Sequence, residues 1–429
     1  MKDEQKKREK RRRRRVRNQL LAYMTLMVLA VTVLVGLYFG ANGVIRYIKN
    51  YNNKVNEAIA EAESDAAAEL ASAASQEQTE PESSSSVYEE KEYASELSDD
   101  PLGELVDTLL QDMTVEEMVA GMFLVTPESL TGVQTVVQAG DSTKSAIAQK
   151  PVGGLVYSAK NFQSGEQFQK MLANTKGFCE YPLFFAVTAE CGADTAFGIA
   201  DTKKASEITE ADQASEAYGV IAETLAGYGV NMNLAPVSEI VAADGDSSLQ
   251  GRTFGSDAAA AAPLVSASVQ AMQAQGVSAV LQKFPGSGTG KKTLEELKNS
   301  EFLIYEAAIR DGVDCIMVSN ISSEGVTDSD TPDSLSGVMI TELLRGDLGF
   351  DGVVITDALD DTAVTEKYTP AEAAIAAIEA GADVLYRPAD YDAAYEGVLQ
   401  AVADGKITKE RIYESLVRIY RVKYQNTVL

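Results

Sequence analysis

The chain has 429 residues, a formal net charge of −27, 3 cysteines and neither histidine nor tryptophan. The absence of histidine excludes Ser-His and Cys-His catalytic pairs and every metal site that needs an imidazole ligand. Cys179, Cys191 and Cys315 have no spacing typical of a zinc motif or a disulfide framework. Chemistry in this chain must therefore use carboxylates, hydroxyls, lysines or backbone dipoles.

The N-terminal segment differs in charge from the rest of the chain. Residues 1–18 carry eleven basic and three acidic side chains, and the remainder is strongly acidic. Because this acidic remainder repels the phosphates of nucleic acids, we expect no nucleic-acid partner. Residues 19–45 are uncharged, and their apolar stretch is long enough to cross a ~30 Å hydrocarbon core as a helix.

The basic residues before this stretch predict a single-pass signal anchor over residues 19–45, with residues 1–18 in the cytoplasm and everything after residue 46 outside the cell. A cleaved signal peptide is the alternative, although it would normally have a shorter apolar stretch and a small-residue cleavage site. Residues 46–100 are rich in Ala, Glu and Ser and have few large apolar side chains. Such a segment buries too little surface to offset chain entropy, so we interpret it as a flexible, low-complexity stalk.

Residues 101–429 alternate between short apolar stretches and helical patterns. Continuous apolar stretches are typical of parallel strands that are buried on both faces. Thr114 and Glu117 form a capping-box pattern, and a periodic helix stops at Gly229. Eight strand–helix units predict a (β/α)₈ TIM-type barrel, with a doubly wound open sheet as the alternative. The predicted strands are 122–125, 154–157, 183–187, 231–235, 279–284, 315–319, 352–356 and 383–386.

Polar residues follow most of these strands. In a barrel of this kind the carboxyl ends of the strands meet at one end, where catalytic residues are found. A single polar residue there is often only a helix cap, but several carboxylates brought together cost energy unless they are used or paired. The residues in question are Thr188, Glu190, Glu239, Lys283, Asn320, Asp357 and Arg387.

The segment 343–359, with the sequence LLRGDLGFDGVVITDAL, resembles the nucleophile signature of glycoside hydrolase family 3, in particular its single-domain β-N-acetylhexosaminidase branch. Shorter matches follow the order of the family at 229–237, 252–257, 283–286 and 381–385, and the resemblance covers about residues 102–425. It implies a barrel fold, chemistry without a cofactor, and Asp357 as the nucleophile of a retaining glycosidase. It also implies that Arg252 binds a sugar hydroxyl or acetamido group.

The chain departs from the family pattern around the fifth strand. The family motif K-H-F-P-G-H-G is replaced by QKFPGSG at 282–288, and only four residues separate Gly288 from Thr293. The family's Asp-Ser-His acid/base loop is therefore degenerate and looks deleted. In addition, Thr188 replaces an aspartate that grips substrate, and Asn320 replaces a histidine.

A retaining glycosidase needs a nucleophilic carboxylate and a second group roughly 5 Å away that protonates the leaving oxygen. The candidate proton donors are Glu190, Glu239 and the Glu295–Glu296 pair, Glu295 in particular, since burial can raise the pKa of a carboxyl group. The candidate substrate-binding residues are Arg252, Lys283, Thr188, Asn320 and Glu239.

The sequence thus predicts a membrane-anchored extracellular glycosidase that acts on terminal β-N-acetylglucosamine-type residues of cell-envelope and cell-wall glycans. A catalytically inactive relative that binds or organises such glycans is the main alternative. A structural envelope protein that contacts no sugar is a third hypothesis.

Overall fold

A computed structural model of the protein describes residues 100–192, 196–241 and 248–425. The predicted cytoplasmic segment 1–18, the predicted anchor 19–45 and nearly all of the predicted stalk 46–100 lie outside these residues. Within the described ranges, no helix combines the length and the apolar character that crossing a membrane requires.

Eight parallel strands form one sheet in the order β7-β6-β5-β4-β3-β2-β1-β8. A parallel bridge between Ile355 of β7 and Val384, just before β8, joins the two edges of this sheet. The sheet is therefore a nearly closed barrel, which confirms the predicted TIM-type fold. The strands are β1 Phe123–Val125, β2 Gly154–Val156, β3 Phe184–Val187, β4 Met232–Asn233, β5 Ser278–Phe284, β6 Cys315–Val318, β7 Val353–Thr356 and β8 Leu385–Tyr386.

Helices connect the strands, as the alternating sequence pattern predicts. A π-helix, Val338–Asp347, precedes β7. The α-helices are α1 Pro101–Gln111, α2 Val115–Gly121, α3 Pro127–Thr131, α4 Asp141–Gln149, α5 Gly165–Lys176, α6 Ala211–Tyr228, α7 Ala258–Gln273, α8 Leu294–Lys298, α9 Phe302–Arg310, α10 Glu324–Thr327, α11 Thr362–Thr365, α12 Pro370–Ala380, α13 Tyr391–Ala403 and α14 Lys409–Tyr424.

Local sequence signals explain where several of these helices begin and end. The capping box before α2 is confirmed: Thr114 Oγ1 accepts from Glu117 N at 3.2 Å, and Glu117 Oε2 accepts from Thr114 N at 2.8 Å. Helix α6 ends at Gly229, whose φ of 91° is a left-handed conformation that glycine adopts without steric cost. Every residue of β1, β2, β3, β6 and β7 is buried, because helices cover the outside of the sheet and side chains fill its inside.

The amino-terminal end of the barrel is held together by a buried carboxylate. Asp383 is fully buried, and its side chain accepts from Arg345 Nη2 at 2.6 Å, Ser415 Oγ at 2.7 Å and Val354 N at 2.9 Å. Arg418 Nη1 is a further 3.2 Å donor. Asp383 thereby joins the π-helix and α14 to the start of β7 and β8.

A buried amine lies near the C-terminal end of α14. Within the described residues Lys423 Nζ has no hydrogen-bond partner, and it lies 4.8 Å from the centre of the Phe184 ring and 4.6 Å from that of Tyr420. Burial lowers the pKa of Lys423 from its usual 10.5 to about 7. The folded protein therefore binds fewer protons than the unfolded chain between about pH 7 and 10.5, so this group makes stability rise with pH across that window.

We expect Lys423→Met to raise the free energy of unfolding at pH 6 by on the order of 2–4 kcal/mol, because a neutral side chain avoids the cost of burying a charge. The difference should disappear towards pH 10.5. Urea unfolding followed by circular dichroism measures it. Lys409→Met removes the same charge from an exposed position of the same helix and should change stability by less than about 0.5 kcal/mol. Equal stability of wild type and Lys423→Met at every pH would contradict the argument.

Candidate active site

Asp357 lies directly after β7, at the end of the barrel where the carboxyl ends of the strands meet (hereafter the mouth). Its side chain is 11% exposed. Oδ2 accepts from Lys283 Nζ at 2.6 Å, and Oδ1 accepts from Ala358 N at 2.8 Å. The backbone N of Asp357 donates to Val318 O of β6 at 2.8 Å. The carboxylate is thus held in one orientation by a cation and a backbone amide.

Lys283 belongs to β5, and its side chain is 32% exposed in a strand whose other residues are buried. Its ammonium joins the ends of β5 and β7 through Asp357. The sequence predicts Lys283 as a substrate-binding residue, and the structure shows that it is also the charge partner of the predicted nucleophile. A substrate at the mouth would therefore meet the carboxylate and the ammonium together.

Glu190 and Arg252 form a bidentate ion pair at the same end of the barrel. Arg252 Nε donates to Glu190 Oε2 and Nη2 donates to Oε1, each at 2.6 Å. Hydrogen bonding to Glu190 raises the pKa of Arg252. Both oxygens of Glu190 are held by a guanidinium cation that would have to leave before Glu190 could deliver a proton to a substrate, so the geometry disfavours Glu190 as the general acid. Arg252 remains partly exposed and also donates to Ser248 O at 3.2 Å.

Glu239 follows β4 and is only 5% exposed. Its carboxyl group accepts from Ser287 N at 2.5 Å and from Ser287 Oγ at 3.0 Å. Burial raises the pKa of Glu239, although the Ser287 hydrogen bonds and the positive charges of Lys283 and Arg252 oppose the shift. Glu239 is therefore a buried carboxyl group whose protonated form is favoured by burial, close enough to Lys283 to be affected by its charge.

The other predicted residues have different surroundings. Thr188 is exposed after β3. Asn320 is buried after β6, where its Nδ2 donates to Ala358 O at 2.7 Å and its Oδ1 accepts from Ser334 Oγ at 2.6 Å. Asn320 thus supports the backbone that follows Asp357.

Glu295 is exposed on α8, in a shallow groove that contains none of the other predicted site residues. Among the side-chain contacts of the described mouth residues, none involves Glu295. The structure therefore brings Glu190, Arg252, Glu239, Lys283, Asn320 and Asp357 towards one end of the barrel but gives no support for Glu295 as a proton donor.

Two further residues at the mouth are not among the predicted site residues. Ser287 is the hydrogen-bond donor to Glu239, and Tyr386 ends β8. Burial raises the pKa of Tyr386, while the positive charge of Arg387 opposes the shift and the negative charge of Asp357 adds to it. Arg387 lies 5.7 Å from the Tyr386 ring and donates through Nη2 to Asp360 Oδ2 at 2.6 Å. Only the position of Tyr386 at the end of a predicted strand could have suggested its place in the site.

Comparisons with known proteins show which family the barrel resembles. The profile of the glycosyl hydrolase family 3 N-terminal domain matches residues 114–422. The chain is 30% identical over 232 residues to a β-N-acetylglucosaminidase/β-glucosidase from Cellulomonas fimi, covering 49% of this chain and 41% of that protein. The chain thus spans less than half the length of that relative.

Solved structures show the same similarity. A family 3 β-N-acetylglucosaminidase from a Paenibacillus species has a TM-score of 0.68 at 29% identity, covering 74% of this chain and 63% of that one. A β-N-acetylhexosaminidase from Beutenbergia cavernae has a TM-score of 0.63 at 25% identity, covering 73% of this chain and 99% of that one. The latter consists almost entirely of the part that matches this chain.

Proposed function

Because this chain belongs to glycoside hydrolase family 3, we propose that its barrel hydrolyses terminal β-linked N-acetylglucosamine-type residues with retention of configuration. The observation that carries the proposal is the position of Asp357, fixed at the end of β7 by Lys283 and by Ala358 N. The activities named for the Cellulomonas, Paenibacillus and Beutenbergia relatives support N-acetylglucosamine-type sugars as the substrate class.

The proposed reaction begins when Asp357 attacks the anomeric carbon and displaces the leaving oxygen. A covalent glycosyl ester forms and is hydrolysed in a second step. Lys283 stabilises the negative charge of the free carboxylate. When that charge is lost in the ester, the ammonium becomes free to donate to a sugar oxygen. The same pair therefore serves both to orient the nucleophile and to bind the sugar ring.

The loop after β5, which carries the acid/base residues in the family, is shortened in this chain. We therefore assign the proton transfer to Glu239. Its carboxyl group would give a proton to the leaving oxygen in the first step and take one from water in the second. Burial favours the protonated form that the first step requires. The hydrogen bonds from Ser287 fix the orientation of the carboxyl group.

Glu239→Gln tests this assignment through the choice of leaving group. For a substrate with an alkyl or sugar leaving group, we expect kcat/KM to fall by about 10²–10⁴-fold, because the amide has no proton to transfer. For a dinitrophenyl glycoside, whose leaving group needs no proton, the loss should be less than about tenfold. Glu295→Gln is the matched control and should leave both values unchanged. Equal losses on both substrates in Glu239→Gln would rule out the acid role.

A second candidate function is glycan binding without turnover. The observation that favours it is the pairing of Asp357 with Lys283 and of Glu190 with Arg252, which leaves these four charged groups already satisfied by one another. Titrations with chito-oligosaccharides and muropeptides distinguish the two. Saturable glycan binding that weakens in Arg252→Ala, with no phenol released from any aryl glycoside, would establish glycan binding without turnover. Flat titrations together with co-purifying envelope proteins would instead favour a scaffolding role.

We further propose that residues 19–45 anchor the protein in the cell membrane and that the barrel acts outside the cell on envelope glycans. The proposal rests on the length of the uncharged segment and on the basic residues that precede it. Extraction of the membrane fraction tests it, since an anchored protein should resist alkaline carbonate and dissolve in detergent. Release by carbonate would contradict the anchor.

A further inference from the structure

The loop that connects β5 to α8 is a compact turn. Gly286 O accepts from Thr289 N at 3.2 Å and from Thr289 Oγ1 at 2.6 Å. Thr289 O accepts in turn from Lys292 N at 2.8 Å. Thr289 is only 2% exposed, so its side chain forms the centre of the turn. This turn follows β5, as the family's acid/base loop does, and its shape is set by its own hydrogen bonds.

The loop after β6 holds this turn through a close contact between backbones. Gly325 N donates to Gly290 O at 3.2 Å. A Cβ atom at Gly325 would overlap with Lys292 O and would lie 2.8 Å from Lys291 O. A Cβ atom at Gly290 would lie 2.9 Å from Ser322 O. These distances are too short for a side chain, so the two loops pack this closely only because both positions are glycine.

One peptide group links this turn to the proposed proton donor. The carbonyl oxygen of the peptide between Gly286 and Ser287 accepts from Thr289, and its N–H donates to Glu239 Oε2 at 2.5 Å. Ser287 Oγ donates to Glu239 Oε1 at 3.0 Å. The orientation of the Glu239 carboxyl group consequently depends on a peptide whose other side is fixed by Thr289. Thr289 is itself next to Gly290, at the contact between the two loops.

Ser287 can keep its hydrogen bonds in both protonation states of Glu239. The backbone N–H donates to Oε2 in either state. The hydroxyl group donates to Oε1 when the carboxyl group is ionised and can accept from Oε1 when the carboxyl group is protonated. An acid/base residue passes through both states in one catalytic cycle, so a hydroxyl partner suits it better than a partner that only donates. The geometry thereby identifies Oε1 as the oxygen that carries the proton.

We propose that Gly325 is a positioning residue for the proton transfer: by holding the turn after β5 it fixes Ser287, which in turn orients Glu239. The contact between the two loops needs no substrate and can be tested without one. The part of this inference that concerns catalysis rests on the proposed role of Glu239 as the general acid/base. A role in folding alone would instead predict that replacing Gly325 affects every substrate equally.

Hydrogen exchange of the full chain measures the contact directly. In Gly325→Ala we expect the protection of the amides of 287–292 to fall by about tenfold or more. Gly288→Ala is the matched control, because it adds the same methyl group to the turn itself, where a Cβ atom meets nothing within 4 Å beyond its chain neighbours. Its protection should stay within about twofold of wild type. Unchanged protection in Gly325→Ala, or an equal loss in Gly288→Ala, would overturn the proposal.

Gly290→Ala gives a second test if Gly325→Ala fails to fold. It introduces a milder overlap, with Ser322 O, on the other side of the same contact. We expect the protection of the same amides to fall by about threefold or more. Wild-type protection in a folded Gly290→Ala protein would count against the proposal.

Kinetics separate positioning from a general loss of structure. For a glycoside with an alkyl leaving group, kcat/KM of Gly325→Ala should fall by about 10–10²-fold, because a misplaced carboxyl group transfers its proton poorly. For a dinitrophenyl glycoside, the loss should be less than about threefold. In the Glu239→Gln background, Gly325→Ala should lower neither value by more than about twofold further, since the proton donor is already absent. Equal losses on both substrates, or the full loss again in that background, would contradict the positioning role.

The exchange and kinetic measurements can fail separately. If wild type hydrolyses no glycoside, the proposed function fails, while the exchange data still decide whether Gly325 fixes the turn that holds Ser287. If wild type is active and Gly325→Ala loses protection without any dependence of its kinetic loss on the leaving group, the positioning role is wrong and the proposed function stands.

Discussion

Asp357→Asn is expected to lower kcat/KM for an aryl N-acetyl-β-glucosaminide by about 10⁴-fold or more. An amide at this position keeps the shape of the side chain but cannot form the glycosyl ester. It also leaves Lys283 without the carboxylate that lies 2.6 Å away in wild type. Nitrophenol release under single-turnover and steady-state conditions measures the loss.

The control for this variant is Asp361→Asn, four residues along the same loop. Asp361 caps α11 by accepting from Ala363 N, and asparagine caps helices equally well. We expect its activity to remain within about twofold of wild type. Asp357 is buried and only Lys283 of the pair is partly exposed, so urea unfolding of Asp357→Asn is measured beside its activity to show that the loss does not reflect unfolding. Retention of more than a tenth of wild-type activity would contradict the nucleophile role.

Asp383→Ala is expected to lower the free energy of unfolding by about 3–5 kcal/mol. The substitution leaves the guanidinium groups of Arg345, Arg411 and Arg418 in a buried region without their shared carboxylate. Burial already lowers the pKa of Arg345 and of Arg411, which shows the cost of desolvating these cations. Ser415 and Val354 N would lose their acceptor as well.

Urea unfolding followed by circular dichroism measures this loss. Asp347→Ala is the matched control, since it removes a carboxylate from an exposed pair with Lys298 at 2.9 Å. It should cost less than about 1 kcal/mol. An Asp383→Ala protein within 1 kcal/mol of wild type would show that the cluster contributes little to holding the π-helix and α14 against the barrel.

The barrel could be predicted from the sequence because its strands are buried on both faces and are therefore continuous apolar stretches. The predicted limits of β4 are less accurate: the sequence predicts a strand at 231–235, and the structure has it at Met232–Asn233. At Asn231 the side chain shares the contacts with β3: it accepts from Phe185 N at 2.7 Å and donates to Leu183 O at 2.9 Å, while Asn231 N donates to Phe185 O at 3.1 Å. The π-helix Val338–Asp347 has no comparable local signal.

The residues of the mouth could be predicted because parallel strands bring their carboxyl ends together. Their pairing could not be predicted, since Glu190 and Arg252 are 62 residues apart, and Lys283 and Asp357 are 74 residues apart. The positive charge of Lys283 is compatible with binding either a sugar or a carboxylate. Its pairing with Asp357 depends on the strand order β5-β6-β7, which brings the ends of β5 and β7 close together.

Covalent trapping tests the central claim most directly. The probe is an N-acetylglucosaminyl fluoride that carries a second fluorine on the sugar ring. Its anomeric fluoride leaves without help from a general acid, and the ring fluorine slows hydrolysis of the glycosyl ester. We predict that incubation adds the mass of one glycosyl group to the intact protein, that peptide mapping places it on Asp357, and that Asp357→Asn gains nothing. An unchanged mass after prolonged incubation, or an adduct on another residue, would contradict the account.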